Sequence, residues 1–221
     1  MKSLFRFLQR TPSAVLLLLQ LLMLVTAPLL SQTGSAHAVS WVMGAMALFL
    51  VALIIRDSPV FNAIGFILVG LALTLSALVA WAGLEHLTMW ANLVEAAAYF
   101  YAAMGLVWYM LDDHEVTRDE LFAAAVVFTL MAWGFAFLYS VCQTIYPHSF
   151  IAAVNADAPR TWLELLFFSI SIMSSTGLSD IVPIASVARV LVAFEMFAGV
   201  MYLALVVSRL VGMAVAKAAT K

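Results

Sequence analysis

One cysteine, Cys142, stands in the 221 residues, and charged side chains make up only 10% of them. A lone thiol forms no intrachain disulfide, and no metal-ligand spacing surrounds it, so it is expected to be a lipid-facing or core thiol. Lys and Arg number ten against twelve Asp and Glu, are scattered along the chain, and leave a formal net charge of -2. No basic face exists for gripping a phosphate backbone, and nucleic acid is not an expected partner. Between Arg56 and Arg118 there is no Lys or Arg at all, which excludes the arginine-rich helix of a voltage sensor. His37, His86, His114 and His148 all fall in connections, distant along the chain from Ser174, Ser175 and Ser179, so no nucleophile-base pair for catalysis forms and no enzyme is expected. About a dozen residues precede the first long apolar run and about a dozen follow Arg209, so no ligand-binding domain is expected.

What fills the chain instead is apolar: 66% of the residues, against about 45 to 50% in soluble domains. The solvent for such a chain is lipid. A spanning helix needs about 20 mainly apolar residues to cross about 30 Å of hydrocarbon. Six stretches meet this, at roughly 14–30, 38–55, 60–84, 88–111, 121–145 and 186–213. Lys2, Arg6, Arg10, Arg56, Arg118, Arg209, Lys217 and Lys221 fall on one side of these spans and only Arg160 and Arg189 on the other, so both termini are expected in the cytoplasm. Thr11-Pro12 reads as the cap and first position of the first helix. The basic start, the apolar run and Ser35-Ala36-His37-Ala38 also resemble a signal peptide with its cleavage site, and removal of residues 1–38 would leave the other spans oriented as before. Thr117 and Glu120 have capping-box spacing, placing a helix start there. The acidic connection before it reads as a solvated turn, or as a divalent-cation sensor built from Asp112, Asp113 and Glu115.

A seventh apolar piece, 161–173, is too short to span, since thirteen helical residues reach only about 20 Å. Thr161 and Glu164 form a second capping box, so this helix starts at the outer face and ends at membrane depth. Then comes Met173-Ser174-Ser175-Thr176-Gly177-Leu178-Ser179-Asp180, polar and irregular, with Pro183 before the last long helix. Non-helical backbone at that depth is tolerated only where protein buries it or a wet cavity adjoins it. A carbonyl-lined cation path satisfies that condition, helped by the partial negative charge at the short helix's C-terminus. One loop cannot encircle an ion, so several copies must meet on an axis, with four the expected number.

At these residues the chain resembles the tetrameric potassium channels. Leu166-Phe167-Phe168-Ser169 and Ser174 through Pro183 look like their pore helix and filter, with Arg189 nine and Gly199 nineteen residues after Asp180, as in that family. Val116-Thr117-Arg118-Asp119, Phe194-Glu195 through Gly199, Tyr202-Leu203-Ala204 and Ser208 through Gly212 resemble small bacterial potassium-channel-like proteins of about this length. Against the family pattern Thr-Val-Gly-Tyr-Gly-Asp, Ser175 replaces the threonine, Thr176 the valine, Leu178 the bracing aromatic residue and Ser179 the second glycine, while Gly177 and Asp180 are kept. The resemblance implies inner ion sites at Ser175, Thr176 and Gly177, a changed outer filter, and a ring of Asp180 carboxylates that concentrates cations. A serine forced into left-handed backbone at 179 would be strained by roughly 1 kcal/mol or more. Single-glycine filters also occur in the Trk and Ktr potassium transporters, which the resemblance implies can retain a preference for potassium.

The expected fold class is thus an all-α membrane protein: six transmembrane helices plus a re-entrant pore helix and filter loop, in a homotetramer. Residues 1–115 form a four-helix region, 116–215 the pore module and 216–221 a cytoplasmic tail. The expected function is passive conduction of K+, with Na+ less sharply excluded, through Ser174, Ser175, Thr176, Gly177, Leu178, Ser179 and Asp180 in the cell membrane; the other reading is a non-conducting regulatory or structural protein that keeps the pore fold. Permeant monovalent cations are the only ligands expected, without a cofactor. Glu195 and Gly199 are the gating candidates, Glu195 as a hydrogen-bond acceptor for Ser169 or Ser171 or as a pH-sensitive brace, Gly199 as a hinge or a packing residue. Glu95, one turn after Asn92, is a buried helix contact or a sensor.

Overall fold

The computed structural model describes residues 12–30, 59–112 and 118–219. The second expected span (38–55), the cleavage-like motif at 35–38, Asp113, Glu115, the Thr117 cap and the last two tail residues lie outside the described residues. Six α-helices appear among those described: α1 (Pro12–Leu30), α2 (Pro59–Ala82), α3 (Thr88–Asp112), α4 (Arg118–Ile145), α5 (Trp162–Met173) and α6 (Ser186–Ala219). Four of them, α2, α3, α4 and α6, are long and apolar enough to cross a membrane, and α1 contributes a shorter apolar stretch at Ser13–Thr26. Pro12 opens α1 at the position where its missing N–H costs nothing. Between α2 and α3 the chain turns at Gly83, whose φ of +65° is the left-handed conformation that ends helices, and then at a 3-10 turn, Glu85–Leu87.

α4 is the centre of the molecule, touching α1, α3, α5 and α6, while α2 packs on α3. Its buried side chains Leu130, Trp133, Ala136 and Tyr139 face inward, and Cys142 is buried with them, a core thiol. Rings join the layers. Tyr99 of α3 stacks on Phe137 of α4 at 5.6 Å, Trp133 meets Trp162 of α5 edge-on at 5.8 Å, and Tyr139 contacts Phe168 of α5 at 5.4 Å. Gly134 lets α3 come close, since a Cβ there would lie 3.0 Å from the Phe100 ring.

Polar ties between helices sit at particular depths. Asp119 at the start of α4 accepts from the N–H (3.0 Å) and hydroxyl (2.9 Å) of Ser13, and Thr129 donates to Gln20 at 2.6 Å, so α1 is held to α4 twice. Glu120, beside Asp119, pairs with Arg209 of α6 at 3.4 Å. Ser76 of α2 donates to Glu95 of α3, so Glu95 takes part in a helix–helix contact.

One element departs from the all-helical expectation. A strand β1 (Phe150–Ala152), after α4, pairs antiparallel with β2 (Ile181–Pro183), in the register Phe150 opposite Pro183, Ile151 opposite Val182 and Ala152 opposite Ile181. Pro183 has no N–H, so its pair with Phe150 is of the non-hydrogen-bonded kind, and the chain resumes bonding where Ile184 N–H donates to the Ser149 carbonyl at 2.8 Å.

Candidate functional site

The site is built around α5, whose start is fastened by local chemistry. The Thr161 hydroxyl accepts from the Glu164 N–H at 3.3 Å while the Glu164 carboxylate accepts from the Thr161 N–H at 2.6 Å, the reciprocal box expected from the sequence. Gln143 on α4 grips both backbone groups of Arg160, accepting from its N–H at 3.0 Å and donating to its carbonyl at 2.7 Å. Arg160 is 4% exposed; its guanidinium donates to the carbonyls of Val154, Asn155 and Ala158 and pairs with Glu164 at 3.5 Å, tying down the loop before α5.

Twelve residues of α5 carry the chain about 18 Å inward, with Leu165, Leu166, Phe168, Ser169, Ser171 and Met173 buried. Helix ends leave carbonyls without intrahelical partners. Here the Ser171 carbonyl accepts from the N–H groups of Thr176 at 3.1 Å and Gly177 at 3.2 Å and, at 3.3 Å each, from the hydroxyls of Ser174 and Thr176. The first amides of the segment 174–180 therefore face back toward α5. Its carbonyls do not: those of Ser174, Ser175, Thr176 and Leu178 accept no hydrogen bond from any described residue. The Gly177 carbonyl accepts from Ser179 N–H at 3.1 Å, which occupies one of its two lone pairs. Ser174 and Thr176 hydroxyls lie 3.0 Å apart, and residues 175–178 and Asp180 are exposed on the single chain, Leu178 by 75%.

Ser179 does not take the left-handed backbone expected where the second glycine is replaced. Its hydroxyl accepts from Ile181 N–H at 3.1 Å, so the upper strand turns on an ordinary serine. The left-handed residues are Ser175, at φ +58°, and Gly177, at φ +63°. The strain falls at the base of the strand rather than its mouth.

Behind the strand lies Glu195 of α6, 0% exposed. One carboxylate oxygen accepts from Tyr139 on α4 and the other from Ser169 on α5. Ser169 also lies 2.8 Å from the Ala132 carbonyl. Of the two serines expected as partners, Ser169 is the one used, whereas the buried Ser171 hydroxyl has no partner among the described residues. Gly199 sits against the end of α5: a Cβ there would lie 2.6 Å from the Met173 carbonyl oxygen and 2.9 Å from its Cα. Between hinge and packing, its surroundings are those of a packing residue, and α6 runs through it without a break.

Tyr139, Gln143 and the ribbon of β1 with β2 are not among the features expected from the sequence. A phenol within an apolar span needs an acceptor, but Glu95 and Glu195 answer that need equally in the sequence, so only the fold pairs Tyr139 with Glu195. No group of three His, Cys, Asp or Glu converges among the described residues. Unpaired carbonyls and the oxygen lone pairs of hydroxyls on an exposed segment, at the negative end of a buried helix, can ligate a dehydrated monovalent cation. Residues 96–216 match the protein family described as ion channel. Neither the curated proteins nor the solved structures contain a match to the chain.

Proposed function

Because the chain belongs to the ion channel family, as a potassium-channel-like protein, we propose that four copies surround an axis and conduct K+ passively across the cell membrane. Ser174 through Asp180 form the filter. The observation that carries this reading is the split in the strand's hydrogen bonding: amides tied back to Ser171, successive carbonyls from Ser174 to Thr176 left unpaired. Such carbonyls, repeated in a ring, replace an ion's hydration shell. Asp180 carboxylates at the mouth gather cations, and the inner sites use Ser175, Thr176 and the remaining lone pair of Gly177. With Gly177 partly engaged and no second glycine, the filter discriminates K+ from Na+ less sharply than a full set of carbonyl rings.

Assembly is supported by α6. It is covered along one stripe, Ala188, Val192, Glu195 and Tyr202, while Val190, Phe194, Phe197 and Met201 stay exposed. In the assembled protein six helices per chain span the bilayer, both termini lie in the cytoplasm, and no cofactor takes part. The engaged Gly177 carbonyl favours one other reading, a non-conducting protein that keeps the pore fold as a regulatory or structural unit.

The test is the reversal potential of the purified protein in a planar bilayer with K+ on one side and Na+ on the other. A large shift toward the potassium equilibrium potential, abolished with the current by Gly177→Asp in an intact oligomer, supports a potassium channel. A potential near zero with clear current means a non-selective cation pore. Repeated absence of current moves the reading to the non-conducting alternative.

A further inference from the structure

We propose that Glu195 is the positioning residue of the filter, and that with Gly199 it clamps the inner helix to the end of α5 so that α6 and the filter move as one body. The mechanical claim stands on contacts; only its effect on ions rests on the conduction reading above.

The contacts form a short relay. Glu195 on α6 accepts from Ser169 on α5. Two residues further along α5, the Ser171 carbonyl holds the amides of Thr176 and Gly177. Tyr139 on α4 donates to the other oxygen of the same carboxylate, so three helices meet at one fully buried group. Four residues on, and on the same face of α6, Gly199 lies against the backbone of Met173, the residue that immediately precedes the filter. The inner helix thus touches the last turn of α5 at two points, one polar and one steric. A pivot of α6 at Gly199 would have to carry the Met173 backbone with it, because only the absence of a Cβ allows the approach.

The donor count makes the polar point specific. The Ser169 hydroxyl has one hydrogen and faces two acceptors, the Ala132 carbonyl and the Glu195 carboxyl group. A side chain at 195 that both accepts from Tyr139 and donates to Ser169 satisfies every group, and glutamine is such a side chain. Leucine fills a similar volume and satisfies neither.

The experiment uses the full-length protein, comparing Glu195→Gln, Glu195→Leu and Gly199→Ala with the parent by amide hydrogen exchange and, in bilayers, by reversal potential. In Glu195→Leu, exchange in peptides spanning 174–180 should quicken about tenfold, the factor that loss of one hydrogen bond gives, and in Gly199→Ala, where a Cβ would push on the Met173 backbone, it should quicken as well, while peptides from α2 stay unchanged. Glu195→Gln should stay within about twofold of the parent. Currents of the leucine and alanine variants should reverse nearer zero, and those of the glutamine variant where the parent does. Uniform quickening in α2 as well as 174–180 would overturn the proposal, as would unchanged exchange at 174–180 in Glu195→Leu. A glutamine variant as damaged as the leucine variant would also sink it, and so would a Gly199→Ala protein with smaller currents but unaltered exchange and reversal, the behaviour of a hinge. If the parent passes no current, the conduction reading falls, and the exchange data still decide the clamp.

Discussion

Ser175 holds a φ of +58°, a conformation that costs a residue with a side chain roughly 1 kcal/mol or more. Ser175→Gly removes that strain and also removes the hydroxyl assigned to the innermost ion site. Two measurements should therefore move in opposite senses: thermal stability of the assembled protein rises by up to about 1 kcal/mol, while discrimination of K+ over Na+ falls. A drop in both would show that the left-handed serine is not strained. Gln143 presents the reverse case, since it satisfies both backbone groups of a buried arginine. Gln143→Ala leaves an N–H and a carbonyl unpaired, at about 1 to 3 kcal/mol each, and a thermal melt unchanged by it would mean that water replaces the amide. At this scale the sequence revealed what is local. The box of Thr161 and Glu164 is three residues wide and was legible; the bond from Tyr139 to Glu195 joins residues 56 apart and was not.

The helices were the readable elements, because a run of apolar residues long enough for a bilayer is hard to mistake. The span expected at 88–111 is α3 at Thr88–Asp112, and the short piece at 161–173 is α5 with Thr161 as its cap. β1 had no such signal. Three residues, Phe150–Ala152, become a strand only because β2 returns beside them after α5 and the filter, and a partner that far along the chain leaves no periodicity to read. The backbone path of residues 174–180 was half legible. That the short helix stops at Met173 and irregular backbone follows was plain, but the left-handed conformation of Ser175, with none at 179, depends on which amides reach the Ser171 carbonyl. The ribbon is open to a direct test. Val182→Pro deletes the N–H of the residue opposite Ile151, so exchange in 149–152 should quicken by an order of magnitude or more while α3 stays protected. Equal exchange before and after the substitution would mean that the ladder does not hold the mouth.

At the scale of the whole molecule, the single chain leaves one flank of α6 and the 175–178 segment uncovered. That flank carries Phe194 and Phe197, the latter 67% exposed. If four copies meet there as proposed, Phe197→Glu puts four charges into an apolar contact, and native mass spectrometry should find monomers where the parent gives tetramers; tetramers persisting in the variant would place the contact elsewhere. The loop between β1 and α5 has another use. Ladder pairing fixes one end of it and Arg160, through the carbonyls of Val154, Asn155 and Ala158, the other, yet Ala153 between them is exposed. Length can be added at such a point without displacing its anchors. An epitope spliced in after Ala153 would make the protein report its own sidedness, stained by antibody on intact cells when this face points outward and only after permeabilisation when it points in.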